Sequence, residues 1–471
     1  MNKSTSTYAS TQCMTCAEIT IALLYDAMNH VAEYGEKEFN RDKVEILKRS
    51  QNEGLSFFCR ILPRLSKGLL SYLEGCPIGY PNFGKFRGCE YPSLMRGLFA
   101  VAYDHMSADH SLAVGFIYQI SNAFKKLKGP YPDEVLRNQM QDFISVDKDL
   151  VHDFTEPDEE LIERASYYIE DVFGAINHDS DILTKGITPR PGPGATNDPV
   201  EHVDRYEIHT YYESLASFFD MSEYFYPCYE AYVWDIPRFR SIYERKRVSP
   251  VARFKFVDKV VGKARGICIE QNEPQYLQQG VKAFLYKWLE KHPLTKGKIN
   301  FKSQEINRNL AMRSSVCRTY ATLDMSEASD RVSLDLVKRL FARVPYLRDC
   351  LVSLATRTVD VSCYSDETSI ELNKFAPMGS GLCFPVMSVV HWALCRSIVY
   401  GSMQRSQFED IYVYGDDIVV PSPCAQAIFD WLPRFGMKLN NDKSFVQSMF
   451  RESCGIHAYN GLDITPVYFK Y

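Results

Sequence analysis

Apolar residues are spaced differently in the two halves of the chain. Up to about residue 180 they recur every three or four positions, which is typical of amphipathic helices. The clearest helical segments are 18–32, 45–73 with breaks, and 159–176. Loops rich in Gly and Pro are predicted after Cys76, Lys128 and Lys185. From residue 300 onward, short β-branched or aromatic runs alternate with helical stripes, so the pattern predicts an α+β fold with a small antiparallel sheet.

A β-hairpin with two acidic residues at its tip is predicted near the end of the chain. Two apolar runs, 411–413 and 418–420, flank the sequence Tyr414-Gly415-Asp416-Asp417. Glycine tolerates the backbone angles that a tight turn needs. Two adjacent carboxylates repel each other unless a cation lies between them, and a divalent metal ion would meet that need. The alternative is ordinary turn chemistry, in which the second aspartate is simply solvated.

A third carboxylate, Asp324, is predicted to lie at the end of a strand formed by residues 319–323. A helical stripe then follows, made of Val332, Leu336, Val337, Leu340, Phe341 and Val344. Ser329 or Asp330 is expected to cap the N-terminus of that helix. Carboxylates on a strand end and on a neighbouring hairpin outline a two-metal centre, in which one ion activates a hydroxyl and the other holds a triphosphate.

A glycine-rich loop lies between these two acidic segments. In Gly379-Ser380-Gly381 the missing side chains would let the backbone and a hydroxyl approach a ligand closely, although many loops share this pattern. A mostly apolar helix is predicted over residues 384–400. His391 within it is expected to be a core residue rather than a ligand.

Positive charge is concentrated in one segment of an otherwise acidic protein. The net charge is −5, yet residues 238–265 contain ten Lys and Arg against two acidic residues. This local excess of eight predicts a focused tunnel for an anionic substrate rather than a general coat for nucleic acid. The run Arg245-Lys246-Arg247 is equally well explained as a solvated charge run.

Composition indicates a globular protein of a reducing compartment. The fourteen cysteines are unevenly spaced, and Cys13 and Cys16 form a single CxxC pair with no partner pair at zinc spacing. No apolar run approaches the ~18 residues of a membrane span. The start of the chain lacks the apolar core of a signal peptide. We therefore expect no membrane partner.

The order of these segments resembles motifs A, B and C of viral RNA-dependent RNA polymerases. The motifs correspond to Asp324 with Asp330, to Gly379-Ser380-Gly381, and to the hairpin 414–417. Segments 306–308, 450–455 and 461–466 further resemble the replicases of single-stranded RNA bacteriophages, the levivirus group. The resemblance covers residues 250–471, whereas residues 1–180 carry no motif that can be placed. It implies a right-hand polymerase fold, with a small antiparallel palm sheet, largely helical fingers and a short or truncated thumb.

The resemblance implies a metal centre and a ribose-recognition site. Asp324 and Asp416 would bind two Mg²⁺ ions, for which Mn²⁺ is a possible substitute. Asp417 would support them, and the carbonyl of Met325 would complete one coordination shell. Asp330 and Ser380, the latter flanked by Gly379 and Gly381, would recognise the ribose hydroxyls of the nucleotide.

Two basic elements are also implied. Lys443 resembles the motif D lysine that protonates departing pyrophosphate, a task that suits an ammonium with a pKa near the working pH; the alternative is a solvated surface lysine. Lys259, Lys263 and Arg265 resemble motif F, the basic finger over the triphosphate. Lys263 stands about one residue from the position usual in the family, and Gln271 stands where a proline often follows the glutamate.

The domain assignment implied by the resemblance has four parts. Residues 1–185 form a helical region contributing to fingers or thumb, 186–310 the fingers, 311–455 the palm, and 456–471 the start of a thumb. The Pro- and Gly-rich segment 188–196 is either a fingers loop or a linker between helical blocks. Because only 16 residues follow Gly455, either N-terminal residues build the thumb or the chain is a shortened replicase, and the second is favoured.

The implied function is RNA-directed RNA synthesis in the cytoplasm of a bacterial host. The partners would be an RNA template, nascent RNA, NTPs, host translation elongation factors and a ribosomal protein. A reverse transcriptase would instead be expected to carry an aromatic residue near Ser329-Asp330 to exclude the ribose 2′-hydroxyl. An inactive RNA-binding relative would be expected to lack at least one of Asp324, Asp416 and Asp417, and all three are present.

Overall fold

The fold is described from a computed structural model. The structure describes residues 3–77, 79–129, 132–151, 153–400 and 410–470. Residues 1, 2 and 471, on which the expectations about the two ends of the chain partly rest, lie outside this described part.

The N-terminal part of the chain is helical, as predicted. Its helices are α1 (Lys3–His30), α2 (Glu36–Glu53), α3 (Pro63–Leu73), α4 (Arg96–Tyr103), α5 (His110–Asn122), α6 (Asp133–Lys148), α7 (Glu156–Phe173), α8 (Ala175–His178) and α9 (Asp181–Thr184). A π-helical turn, Phe57–Ile61, interrupts the helical path between α2 and α3, within the segment 45–73 for which the pattern predicted helix with breaks. A capping box formed by Thr155 and Asp158 starts α7.

The middle of the chain combines short helices with a long hairpin. Its elements are α10 (Glu213–Ala216), α11 (Met221–Tyr224), α12 (Tyr229–Glu244), β1 (Val251–Val260), β2 (Lys263–Ile269) and α13 (Asn272–Leu289). Strands β1 and β2 pair antiparallel, and Gly262 at their turn has a φ of +73°. Few side chains other than glycine adopt that angle without strain.

The last part alternates helices and strands. Its elements are α14 (Glu305–Cys317), β3 (Tyr320–Ser326), α15 (Leu334–Leu340), α16 (Pro345–Ser353), β4 (Thr358–Asp360), β5 (Ser369–Glu371), α17 (Cys383–Tyr400), β6 (Tyr412–Tyr414), β7 (Asp417–Pro421), α18 (Ala425–Trp431), β8 (Lys438–Leu439), β9 (Phe450–Ser453), β10 (Ile456–Tyr459) and β11 (Leu462–Asp463). The central sheet has the order β6-β7-β3-β8 with every pair antiparallel. Two further sheets have the orders β2-β1-β4-β5 and β11-β10-β9, and the fold is α+β as predicted.

The N-terminal helices pack against the C-terminal hairpin β9–β10. Helices α1 to α5 share one apolar core with Phe445, Phe450 and Tyr459. His110 Nε2 lies 2.6 Å from the Tyr459 hydroxyl. The backbone N–H of Phe469 donates to the carbonyl of Ala123 at 2.8 Å. A second and larger core surrounds α17 and the central sheet.

Helix α17 corrects one expectation from the sequence. Among the described residues it is the single helix whose length and composition would allow it to cross a membrane, although no apolar run was expected to approach that length. The helix is 83% buried inside the protein, which is the environment of a core helix. His391 within it is buried, as predicted.

Helix α15 begins later than predicted. Ser329 and Asp330 lie in a preceding 3₁₀ turn, and Ser333 is the N-cap, its hydroxyl accepting a hydrogen bond from the N–H of Leu336. The reason is tertiary, because segment 332–334 first pairs with segment 373–375. Leu334 N–H donates to the Asn373 carbonyl and Phe375 N–H to that of Val332, each at 2.8 Å. The expected N-cap at Ser329 or Asp330 is therefore wrong, whereas the predicted apolar stripe is buried.

Replacement of the observed cap should destabilise the protein. We expect Ser333→Ala to lower the free energy of unfolding by about 1 kcal/mol, because the Leu336 N–H loses its acceptor. Ser329→Ala, at one of the cap positions expected from the sequence, should change it by less than about 0.5 kcal/mol. Urea denaturation of both variants checks this, and equal losses would contradict the observed cap.

Candidate functional site

Two antiparallel strands bring the acidic residues together. In the register of β3 and β7, Asp324 lies directly opposite Asp417. Tyr414 pairs with Asp417 across the hairpin, so Gly415 and Asp416 form a two-residue turn, as the sequence predicted. Strand β3 continues two residues beyond Asp324 to Ser326 instead of ending there, because Met325 and Ser326 pair with β8.

Helix α17 fixes the turn that carries Asp416. Gly415 has a φ of +65°, and a β-carbon at this position would overlap the ring of Phe384. Its N–H donates to the Ser388 hydroxyl at 3.2 Å, and its carbonyl accepts from His391 Nδ1 at 2.9 Å. His391 is therefore a core residue, as predicted, and it also holds the turn in place.

The segment after β8 surrounds Asp324. Asn440 Nδ2 donates to Asp324 Oδ2 at 2.8 Å, and Lys443 Nζ lies 3.6 Å from Asp324 Oδ1. The Asp324 N–H donates to the Ser444 hydroxyl at 3.2 Å. Asn440 and Ser444 were not recognised as site residues from the sequence, although Asn440 lies in the segment that contains Lys443.

The carboxylates of the site destabilise one another's charged forms. Burial, together with the charge of Asp416, raises the pKa of Asp417 to about 7. Burial also raises the pKa of Asp324, and Asp416 adds to that effect, while Lys443 and Asn440 oppose it. A bound cation would relieve this repulsion.

The carboxylates of Asp324, Asp416 and Asp417 are chemically suited to bind a hard divalent cation. Carboxylate oxygens are the ligands that Mg²⁺ prefers in proteins. In the described ranges, no three His, Cys, Asp or Glu side chains are gathered closely enough to hold a metal ion. Asp324 instead directs its oxygens toward Asn440 and Lys443. Met325 lies within the sheet, opposite Leu439 of β8.

Lys443 lies between two acidic residues. Its Nζ is 3.6 Å from Asp324 Oδ1 and 3.7 Å from Glu452 Oε1, while its side chain stays 43% exposed. Burial lowers the pKa of Lys443, but the charges of Glu452, Asp324, Asp417 and Asp416 outweigh burial and leave it raised. In this structure the shift is therefore away from the working pH, opposite to the direction expected for a proton donor.

The β1–β2 hairpin supplies the cations expected near the site. Lys259, Lys263 and Arg265 are exposed, and Lys263 and Arg265 lie two residues apart on β2, hence on one face. Lys259 is exposed over much of its surface but partly enclosed by its neighbours; this partial burial lowers its pKa, and the charges of Arg265, Lys263 and Lys443 lower it further. The hairpin thus lies within electrostatic reach of the acidic cluster.

Two of the basic residues further upstream, Arg238 and Lys246, form local ion pairs. Arg238 pairs with Asp235 at 2.9 Å, and Lys246 pairs with Glu213 at 2.5 Å. The ion pair of Lys246 favours the interpretation of segment 245–247 as a solvated charge run over its interpretation as a free cationic surface.

The glycines of the loop 379–381 allow close packing against the protein itself. Gly379 has a φ of +121°, and a β-carbon there would overlap the carbonyl oxygen of Cys268. Cys268 N–H donates to the Met378 carbonyl at 2.8 Å, and Gly381 N–H donates to Gln278 Oε1 at 3.0 Å. Ser380 is buried. Its contact with a sugar stays a prediction.

Asp330 has a partner that the sequence analysis did not identify. Its Oδ1 lies 3.0 Å from Nζ of Lys374, a side chain with no exposed surface. The available signal was weak, since Lys374 is a single basic residue next to Phe375 and Ala376.

The Pro- and Gly-rich segment 188–196 packs along α13. Arg190 N–H donates to the Tyr276 carbonyl at 3.4 Å, and Gln275 Nε2 donates to the Ala195 carbonyl at 3.4 Å. The segment is therefore held against the helix, unlike a free linker.

The raised pKa of Asp417 predicts how stability depends on pH without divalent metal. The folded protein keeps a proton on Asp417 up to about pH 7, whereas an unfolded chain releases it near pH 4. Folding therefore becomes less favourable as the pH rises between these values. Asp417→Asn mimics the protonated acid, so it should raise the free energy of unfolding at pH 8 by on the order of 2 kcal/mol, allowing for partial solvent screening.

The same substitution should have little effect at about pH 3, below the unfolded pKa, where both states keep most of the proton. Asp366→Asn, at an exposed position, serves as the matched control and should be neutral at both pH values. Denaturant titrations in EDTA measure the change in the free energy of unfolding at each of the two pH values. A stabilisation that does not depend on pH would contradict the prediction.

Comparison with known proteins places the chain in a family. A family model described as RNA replicase, beta-chain, matches residues 212–471, more than half of the chain. The RNA-directed RNA polymerase beta chain of Escherichia phage MS2 is 36% identical over 208 residues, 44% of this chain and 35% of the relative. The beta chain of Enterobacteria phage fr is 34% identical over 206 residues, 44% of this chain and 35% of the relative.

A third relative is the RNA-directed RNA polymerase subunit beta of Qbeta virus (strain MX1), 32% identical over 225 residues, 48% of this chain and 36% of the relative. The chain thus spans about a third of the length of these curated relatives. The resemblance to phage replicases that the motifs suggested is confirmed, and the chain belongs to the RNA replicase beta-chain family.

Proposed function

We propose that this chain is an RNA-directed RNA polymerase that replicates a single-stranded RNA phage genome. One observation carries the proposal: Asp324 lies opposite Asp417 in the sheet, with Asp416 at the adjoining hairpin tip. Lys443 borders this cluster, and the charges on the β1–β2 hairpin act on the same region. The names of the relatives support the same activity, since each is an RNA-directed RNA polymerase.

The proposed architecture is a right hand. Its palm is the segment 311–455 with the central sheet, its fingers are 186–310 with the β1–β2 hairpin, and 456–471 begins the thumb side. Residues 1–185 would contribute to fingers and thumb. The packing of α5 against β9–β10 supports the thumb contribution, because Tyr118 of α5 bonds to His457, which lies 3.7 Å from Glu452, the second acidic partner of Lys443.

Asp324, Asp416 and Asp417, with the Met325 carbonyl, are the groups that would hold metal. Two Mg²⁺ ions, or Mn²⁺ in their place, would supply Lewis-acid activation of the 3′-hydroxyl and neutralisation of the triphosphate when bound. The mutual repulsion of the carboxylates supports this assignment, since it is the electrostatic condition that a cation relieves.

The remaining residues bind and orient the nucleotide. Lys259, Lys263 and Arg265 would attract the triphosphate, while Asp330 and Ser380, with Gly379 and Gly381, would contact the ribose. The 3′-oxygen of the nascent RNA forms a bond to the α-phosphorus as the bond between that phosphorus and the bridging oxygen breaks. The 3′-hydroxyl gives up its proton to solvent water, and Lys443 donates one to the departing pyrophosphate. The ion pair with Asp324 would have to loosen first, which would bring the pKa of Lys443 down.

The proposed partners are an RNA template, the nascent strand and NTPs, in the cytoplasm of a bacterial host. Host translation elongation factors and a ribosomal protein are proposed from family resemblance. Addition of an extract of uninfected bacteria to the purified chain tests this part, since a requirement for host subunits predicts stimulation of RNA synthesis.

Loss of one carboxylate should abolish synthesis without unfolding the protein. We expect Asp416→Asn to reduce primer extension on an RNA template by at least about 100-fold, because charge stabilisation of the transition state is lost. Asp366→Asn is the matched control and should retain activity. Comparable extension by the Asp416→Asn variant would overturn the assignment, and efficient extension with dNTPs would favour a reverse transcriptase.

Metal binding should be measurable without catalysis. At pH 8, a site with a Kd of about 1 mM gives about 1.4 kcal/mol of stabilisation in about 10 mM Mg²⁺. We expect a matching rise in the Tm of the wild type that Asp416→Asn largely removes. NaCl at equal ionic strength is the control, and an equal shift in both proteins would contradict a metal site at these residues.

A further inference from the structure

Lys374 is a fully buried lysine beside the proposed ribose-binding residue. Its side chain has no exposed surface, and its Nζ lies 3.0 Å from Asp330 Oδ1 and 3.8 Å from Asp147 Oδ1. The same Nζ lies 3.6 Å from the centre of the Phe143 ring. A buried ammonium is costly unless it is paired, so these contacts are what allow a lysine at this position.

The backbone on both sides of Lys374 is fixed by hydrogen bonds. Segment 373–375 pairs with segment 332–334, which follows the 3₁₀ turn that carries Asp330. Asp147 at the end of α6 accepts the N–H of Asn373 at 2.9 Å and that of Lys374 at 3.0 Å. These hydrogen bonds fix the backbone from which the Lys374 side chain reaches Asp330. The Asp147 carboxylate already accepts two hydrogen bonds from that backbone.

Asp330 is the member of this cluster that is open to a ligand. Its side chain is 26% exposed, compared with 5% for Asp147 and none for Lys374. Oδ1 is taken by Lys374, and within the described residues no protein group is bonded to Oδ2. Asp330 lies near the acidic site. Burial raises the pKa of the Cys383 thiol, and the charges of Asp330 and Asp416 both add to that rise, so Cys383 lies within electrostatic range of both carboxylates.

We propose that Lys374 is a positioning residue that holds the Asp330 carboxylate by one oxygen and leaves the other to accept a hydrogen bond from the ribose 2′-hydroxyl. Lys374 thereby sets the preference for ribonucleotides over 2′-deoxyribonucleotides. The inference rests on the proposed polymerase function. Without the lysine, the Asp330 side chain has no partner to fix its rotamer, and the energetic difference between a ribose and a deoxyribose decreases.

The experiment measures kcat/KM for single-nucleotide extension with CTP and with dCTP, and compares their ratio between variants. Lys374→Met removes the charge and donor at nearly constant volume, and its CTP/dCTP ratio should fall at least tenfold. Lys338→Met, an exposed lysine on α15, is the matched control and should keep the wild-type ratio. In the Asp330→Asn background, Lys374→Met should lower the ratio no further, because both changes remove one interaction.

The CTP/dCTP ratio distinguishes the proposed role of Lys374 from a purely structural role. A structural defect lowers the rates with CTP and dCTP together, so an unchanged ratio in Lys374→Met would overturn the proposal even if total activity fell. If the Met variant does not fold, Lys374→Gln keeps a donor without the charge; a severalfold fall in its ratio supports the proposal, and no fall overturns it. A wild type that extends nothing even when an extract of uninfected bacteria is added would instead overturn the proposed function, which distinguishes the two failures.

Discussion

The antiparallel pairing of β3 with β7 is the constraint on which the rest of the site depends. It places Asp324 opposite Asp417 and leaves Asp416 at the tip of the same hairpin. Leu323 and Ile418, which are buried, pair beside them and hold this register. A slip of one residue would move these buried side chains out of their packing and turn the acidic residues to the other face, so the hydrophobic core enforces the proximity of charges that repel each other.

The elements around this pair compensate for that repulsion. Lys443 and Asn440 reach Asp324 from the segment after β8, and α17 holds the turn by its contacts with Gly415. The N-terminal helices reach the same place through Tyr118, whose hydroxyl is 2.8 Å from His457, which in turn lies 3.7 Å from Glu452, the second partner of Lys443. A region with no recognisable motif thus contributes to the electrostatics of the site.

The local sequence pattern predicted the helices and strands better than it predicted which residues contact one another. The hairpin 411–420 and the helical N-terminal region were predicted because alternation, helical periodicity and turn residues are properties of neighbouring residues. The cap of α15 was misplaced, because the pairing of 332–334 with 373–375 delays the helix. Lys374 was assigned no role for a similar reason. Its contacts are with Asp330 and Asp147, which lie 44 and 227 residues away in sequence.

The sequence by itself determined the family, the α+β class and the identity of the acidic and basic residues, because side-chain chemistry and motif order are written in the chain. Tertiary structure alone decided which charges meet. It raised the pKa of Asp417 to about 7 through burial and the charge of Asp416, and it placed Lys443 in an ion pair that moves its pKa in the direction opposite to the expected one. Electrostatic effects depend on distance and on exclusion of water, and neither quantity can be read from the order of residues.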